Sequence, residues 1–150
     1  MHVLVLYESR RGFTLMVAQA IRDEIREAGR QATCAAFGTV DAGTYAASDA
    51  LIVGTWIEGM IVIKVRPADA AMAGIEALPD LEGRPTAVFC TFDVSPSDAL
   101  ERMANALRTR GARPVPVRGE FKRRKKLEAV PAFVDRVLPA FEDALAEATG

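Results

Sequence analysis

The turn Glu8-Ser9-Arg10-Arg11-Gly12-Phe13-Thr14 gathers two hydroxyls, two cations and a glycine into one short polar stretch. Before it runs Val3-Leu4-Val5-Leu6-Tyr7, apolar throughout, as in a strand buried on both faces. After it Val17, Ile21, Ile25 and Ala28 fall on one helical stripe. A strand-to-helix turn with the Ser9 and Thr14 hydroxyls suits a phosphate, because the helix dipole and its unpaired N–H groups both favour an anion. Trp56, the single tryptophan, and Phe92, followed by Asp93, each stand just past another strand-like run. Phosphate donors beside two flat apolar rings suit a ligand that has both a phosphate and a ring system. Each feature also has a plain structural use: caps and turns need Ser, Thr and Gly, and a tryptophan packs well beneath a long connection. The stretch from Thr55 to Arg66, read as a connection without elements of its own, favours a site, since connections of that length are usually functional.

These residues need elements to hold them. The first strand is expected over residues 2–7 and the first helix over 14–28, closed by Gly29. A second strand follows over 31–37 and a poor helix over 41–47, which Gly43 interrupts. A third strand, Ala50-Leu51-Ile52-Val53-Gly54, leads into the long connection, and Pro67 is placed to open a helix reaching Leu78. A fourth strand covers 86–91. Ser95 and Pro96 are read as cap and first residue of the next helix, and Gly111 as its close. A weak fifth strand over 115–117 is pushed toward an edge by Pro114 and Pro116, and a last helix carries Pro139. Strand–helix alternation of this kind implies an α/β fold, a doubly wound parallel sheet of five strands in the order 2-1-3-4-5. In that order the chain reverses between the first and third strands, and the three polar connections meet there.

Bulk properties narrow the function. At 150 residues, half of them hydrophobic, the chain fits one domain over residues 1–150. With 19 basic and 20 acidic residues the formal charge is -1, which argues against nucleic-acid binding. No apolar run is long enough to span a bilayer, and the opening residues read as a strand, so the cytoplasm is the expected location. Cys34 and Cys90 lack metal-like spacing and are expected to be reduced and buried. Neither nucleotide-binding glycine motif occurs, and His2, the sole histidine, lies far from the expected site, so no catalytic triad and no histidine metal site is expected.

The run from Val5 to Ile21, VLYESRRGFTLMVAQAI, resembles the flavodoxin signature. That signature is an apolar pair, an aromatic, a Ser or Thr, a small residue three later, then Thr, Ala and an apolar residue. Every position is met, and the expected strand order and length also resemble short-chain flavodoxins. The resemblance implies a flavodoxin-like flavoprotein of electron transport, with FMN as cofactor and redox partner proteins. It implies that Ser9, Arg10, Arg11, Gly12, Phe13 and Thr14 wrap the FMN phosphate. It implies a second loop of Thr55, Trp56, Ile57, Glu58 and Gly59, with Trp56 on one face of the isoalloxazine. Thr91, Phe92 and Asp93 would form a third loop, with backbone groups toward the pyrimidine edge.

The sequence departs from that pattern in several places. Arg10 and Arg11 put cations where flavodoxins use hydroxyls and amides, and the third loop lacks a Gly-rich stretch and a stacking Tyr. The chain is near neutral where many electron-carrying flavodoxins are strongly acidic, and Lys122-Arg123-Arg124-Lys125-Lys126 reads as a solvated loop or as a dock for an acidic partner or phosphorylated substrate. The apolar run from Met60 to Ile63 is open to two readings, an extra strand or a partner or homodimer surface. Two other functions stand beside the electron carrier: a flavin-free partner-binding or regulatory module, and a small FMN-dependent quinone or porphyrinogen reductase.

Overall fold

The computed structural model describes the backbone at residues 1–60 and 63–149, and the side chains at 1–57 and 67–149. In chain order the elements are β1 (His2–Tyr7), α1 (Phe13–Glu27), β2 (Gln31–Ala36), α2 (Ala42–Ala47), β3 (Ala50–Met60), β4 (Ile63–Pro67), α3 (Asp69–Glu76), β5 (Pro85–Phe92), α4 (Ala99–Thr109), β6 (Arg113–Lys122), a 3-10 turn (Arg123–Lys125) and α5 (Val130–Thr149). Five strands pair in parallel as β2-β1-β3-β5-β6, while β4 runs antiparallel to β3. Counted among themselves, the parallel strands have the expected order 2-1-3-4-5.

Two-faced burial follows from the period of a strand. Val3 and Val5 of β1, Ile52 of β3 and Phe89 of β5 point to one side, where they meet Val17, Ile21 and Ile25 of α1 and Phe133, Val137 and Phe141 of α5. Leu4, Leu6, Leu51, Val53, Val88 and Cys90 point to the other, against Ile75 of α3 and Leu100, Met103 and Leu107 of α4. Each central strand therefore needs apolar residues at every position, which is why these runs do not alternate.

On the first of these faces Phe89, Phe121 and Phe133 stack edge to face, at centroid distances of 5.8 and 5.6 Å. The column fits because two neighbours have no side chain. A Cβ on Gly54 would lie 1.9 Å from the Phe89 ring, and one on Gly119 would lie 2.7 Å from Phe121. Gly54 ends the apolar segment of β3, directly before Thr55 and Trp56.

Several boundaries differ from the sequence expectations, each for a local reason. The connection expected from Thr55 to Arg66 is a hairpin instead: β3 continues to Met60, and Ile57 and Glu58 pair with Pro67 and Arg66 of β4. Pro67 therefore ends a strand rather than opening a helix, and α3 begins at Asp69. Ser95 does not cap α4. Its hydroxyl accepts from the Ser97 N–H at 3.1 Å, and the left-handed backbone of Ser97 (φ 49°) delays the helix to Ala99. The weak fifth strand is longer than residues 115–117 because β6 resumes pairing after an irregularity. Between the Thr86 and Val88 pairs, β5 advances two residues while β6 advances four, which accommodates Pro114 and Pro116 at the sheet edge. Asp41 caps α2 through the Thr44 N–H at 2.8 Å, so that short helix forms despite Gly43. Ile61 and Val62, half of the run considered as a dimer surface, lie outside the described residues. Among those described, no helix is long and apolar enough to cross a membrane.

The missing Cβ at Gly54 yields a direct test. Gly54→Ala forces the Phe89 ring out of its place and is expected to lower stability by about 1–3 kcal/mol, the usual range for overpacking. Urea unfolding of Gly54→Ala, Phe89→Leu and the double variant should show a sub-additive pair, because the smaller ring-free side chain makes room for the methyl. A Gly54→Ala midpoint equal to that of the unchanged protein would contradict the packing described.

Candidate functional site

The carboxyl ends of β1, β3 and β5 meet where the chain reverses direction, and the turn after β1 is built against them. The Glu8 N–H donates to the Gly54 carbonyl at 3.0 Å, tying the turn to β3. Ser9 then serves the helix from outside it: its hydroxyl oxygen accepts from the N–H groups of Gly12 at 3.1 Å and Leu15 at 3.3 Å. Gly12, the residue that precedes α1, offers no side-chain cap and adopts a left-handed backbone (φ 90°). That conformation strains a residue with a Cβ, which accounts for glycine here. The remaining first-turn N–H groups of α1 and the positive end of its dipole are left facing the mouth of the sheet.

A cleft of about 190 Å³ opens beside this helix end, lined by Arg10, Arg11, Phe13, Thr14, Trp56, Ile57, Thr91, Phe92, Asp93 and Arg123. Thr14 and Thr91 are buried at its base, with their hydroxyls hydrogen-bonded to each other at 2.8 Å across 77 residues of sequence. The wall is aromatic and cationic in alternation. The Arg10 guanidinium lies 5.3 Å from the centre of the Trp56 ring, and the Arg123 guanidinium lies 5.7 Å from that of Phe13. Arg123 also pairs with Asp93 through Nε at 3.1 Å. The indole Nε1 of Trp56 is buried and meets no acceptor among the described residues. A buried donor without a partner costs about 1–3 kcal/mol.

Nine of the residues expected from the sequence thus share the cleft wall: Arg10, Arg11, Phe13, Thr14, Trp56, Ile57, Thr91, Phe92 and Asp93. The others serve the frame. Ser9 and Gly12 shape the turn, and the fully buried Thr55 hydroxyl donates to the Trp56 carbonyl at 3.1 Å. Thr55, Trp56, Ile57, Glu58 and Gly59 belong to β3 rather than to a loop, and the ladder shifts register between Glu58 and Met60, leaving Gly59 at the irregularity. Thr91 and Phe92 likewise close β5, and only Asp93 lies beyond it. Arg123 was not among the expected site residues. Its signal was the basic run at Lys122 to Lys126, whose composition alone does not distinguish a solvated turn from one folded onto Asp93 and Phe13. Neither thiol joins the site: Cys34 and Cys90 are free, and burial pushes both above the ordinary thiol range, Cys90 far above it.

The Thr14–Thr91 bond makes a prediction that the exposed part of the cleft does not. Thr14→Val leaves the Thr91 hydroxyl buried without its partner and is expected to cost about 1–3 kcal/mol. Adding Thr91→Val should recover much of the loss, because neither polar group then remains. Thermal denaturation of the three variants checks this, and an additive double variant would contradict it.

The comparisons with known proteins agree with this architecture. The flavodoxin family model matches residues 5–131. A cysteine-to-serine mutant of flavodoxin from Pseudomonas aeruginosa superposes with a TM-score of 0.75 at 21% identity, covering 95% of this chain and 99% of that one. Oxidised flavodoxin 2 from Bacillus cereus gives 0.70 at 20% identity, over 95% and 99% of the two chains. Rubredoxin oxygen:oxidoreductase from Desulfovibrio gigas gives 0.73 at 15% identity, with 97% of this chain covering 37% of that longer one. At these identities the likeness speaks of the fold. No curated protein sequence matches the chain. The family match takes in the end of β1 and the turn after it, β3, β5 and the basic turn after β6, and on that extent the chain belongs to the flavodoxin family.

Proposed function

We propose that the chain binds FMN in this cleft and carries electrons between partner proteins. The observation that carries the reading is the juxtaposition of an open helix N-terminus, with its Ser9-organised turn, and the half-buried Trp56, whose indole N–H has no acceptor among the described residues. Phosphate and flat ring would thus find complementary partners within one cleft. The donor set fits FMN. The N-terminal amides of α1 favour the phosphate, and the Ser9 hydroxyl, which accepts from two amides, keeps its own hydrogen to donate. Bound there, the flavin supplies the redox chemistry, and the protein supplies binding, orientation and electrostatics.

The residues of the chain divide the remaining work. Trp56 and Phe92 offer apolar surface to a ring and exclude water from it. Gly59, at the register shift of the β3–β4 hairpin, gives the backbone there freedom to turn at low cost. Arg10 occupies the Trp56 face that a flat ring would take, so in this reading it moves aside when the ring binds. That guanidinium is then near enough in sequence to the turn to approach the phosphate.

Arg10 over Trp56 also favours a second reading, in which a cation permanently replaces the ring and the chain is a flavin-free binding module. An absorption spectrum of the fresh protein and an FMN titration separate the two. FMN should quench the emission of the single tryptophan saturably at one ligand per chain, and a colourless protein with unchanged emission would sink the cofactor reading. Ser9→Ala should weaken FMN more than riboflavin, by about tenfold or more if the charged hydrogen bond contributes its usual 1.5–3 kcal/mol. Equal losses for both ligands would remove this turn from the phosphate site. Arg10→Ala should tighten riboflavin a few-fold, because a cation–π contact of roughly 0.5–1 kcal/mol no longer competes for the indole face. Unchanged riboflavin affinity would mean that the ring does not bind against Trp56.

A further inference from the structure

On one side the cleft continues into a shallow groove lined by Arg11, Phe13, Met16, Arg123, Lys126 and Leu127. Its floor is apolar, with Met16 53% exposed and Phe13 and Leu127 half-buried. Its rim is cationic: Arg11, Arg123 and Lys126 are exposed, and Arg124 and Lys125 extend the same turn. Among the described residues that line cleft and groove, Asp93 is the single carboxylate, and Arg123 already pairs with it.

This sign is local. With 19 basic and 20 acidic residues the chain as a whole is slightly negative, so the rim is a concentration of charge and not a reflection of composition. Two distant segments produce it. The parallel sheet sets the end of β6 on the far side of β5 from β1, and the turn after it reaches back to α1, where Arg123 packs over Phe13 at 5.7 Å. Cations that repel one another are thereby held around an exposed methionine, next to the mouth of the cleft.

We propose that this rim docks an acidic partner protein, whose carboxylates meet Arg11, Arg124 and Lys126 while an apolar side chain covers Met16. The partner's redox centre is thereby brought to the mouth of the cleft. This use of the surface rests on the FMN reading, whereas the docking itself does not need the cofactor. An apolar patch within a charged rim has the anatomy of a protein interface. A small free anion has no use for the apolar floor. Charge complementarity of this kind mainly steers encounter and sets orientation, as a brief electron-transfer contact requires.

Two haem proteins of opposite charge serve as probes, the acidic cytochrome b5 and the basic cytochrome c. In amide NMR titrations at low salt, cytochrome b5 should shift residues 10–16 and 122–127, cytochrome c should not, and high salt should abolish the shifts. The variant Arg124→Glu with Lys126→Glu, both outside the cleft wall, should weaken cytochrome b5 association about tenfold or more, as charge reversal at a rim does, and leave FMN titration unchanged. Equal binding of cytochrome b5 by the double variant, or shifts on another face, overturns the proposal. Tighter binding to phosphatidylserine vesicles than to cytochrome b5 also overturns it, assigning the surface to a membrane. If cytochrome b5 docks but FMN does not bind, the cofactor reading falls and the docking surface stands. If FMN binds and cytochrome b5 is ignored, the docking surface falls alone.

Discussion

The contact between Gly54 and the Phe89 ring sets the position of everything at the mouth of the sheet. Phe89 occupies the volume where any other residue at position 54 would place its Cβ, and the ring continues edge to face through Phe121 to Phe133 on α5. That column fixes β3 against β5 and α5 two residues before Trp56 and Thr91. The carbonyl of the same glycine receives the Glu8 N–H, so the turn after β1 is registered on the same point. Trp56 and the start of α1 are therefore held relative to each other by packing and one backbone hydrogen bond. A dense interior transmits position in this way because it has no room to relax.

Above that point the character of the interactions changes from packing to electrostatics. The base of the cleft is closed by two hydroxyls that satisfy each other, and its wall alternates aromatic rings with guanidinium groups. Guanidinium suits such a wall, because it is weakly hydrated and stacks on rings while keeping its charge. The positive end of α1 adds to the same field. An anion entering the cleft therefore meets positive potential from the backbone and from side chains, although the chain as a whole carries none in excess.

The fold is shared with proteins at about one-fifth identity or less, which is what a two-faced parallel sheet permits. Its core demands apolar residues in the central strands and small ones at a few crossings, and many sequences satisfy that. The cleft is more particular. Its cations come from the turn after β1 and from the turn after β6, surface positions on which the core places no demand. The core thus leaves the charge around the cleft unconstrained, and in this chain that charge is basic.

Local sequence determined the order of elements, the central strands and the turn between β1 and α1. Runs such as Val3 to Tyr7 and Ala50 to Gly54 are apolar at every position, and the stripe through Val17, Ile21 and Ile25 has helical period, so each could be read within a single window. Trp56, Phe92 and the Ser9 turn stood out in the same way, each following an apolar run, although Trp56 and Phe92 lie within β3 and β5. Tertiary structure decided what those windows do not contain. A strand ladder pairs Ile57, Glu58 and Met60 with Pro67, Arg66 and Ile63, so what looked like a loop is largely strand, β3 beside β4. The Thr14 hydroxyl faces Thr91, Arg10 lies over Trp56, and Arg123 bridges Phe13 and Asp93. Each of these depends on where a second, distant segment is placed. Hydrophobic period encodes which face of an element is buried, whereas the partner of a polar side chain is settled only when the sheet brings the two strand ends together.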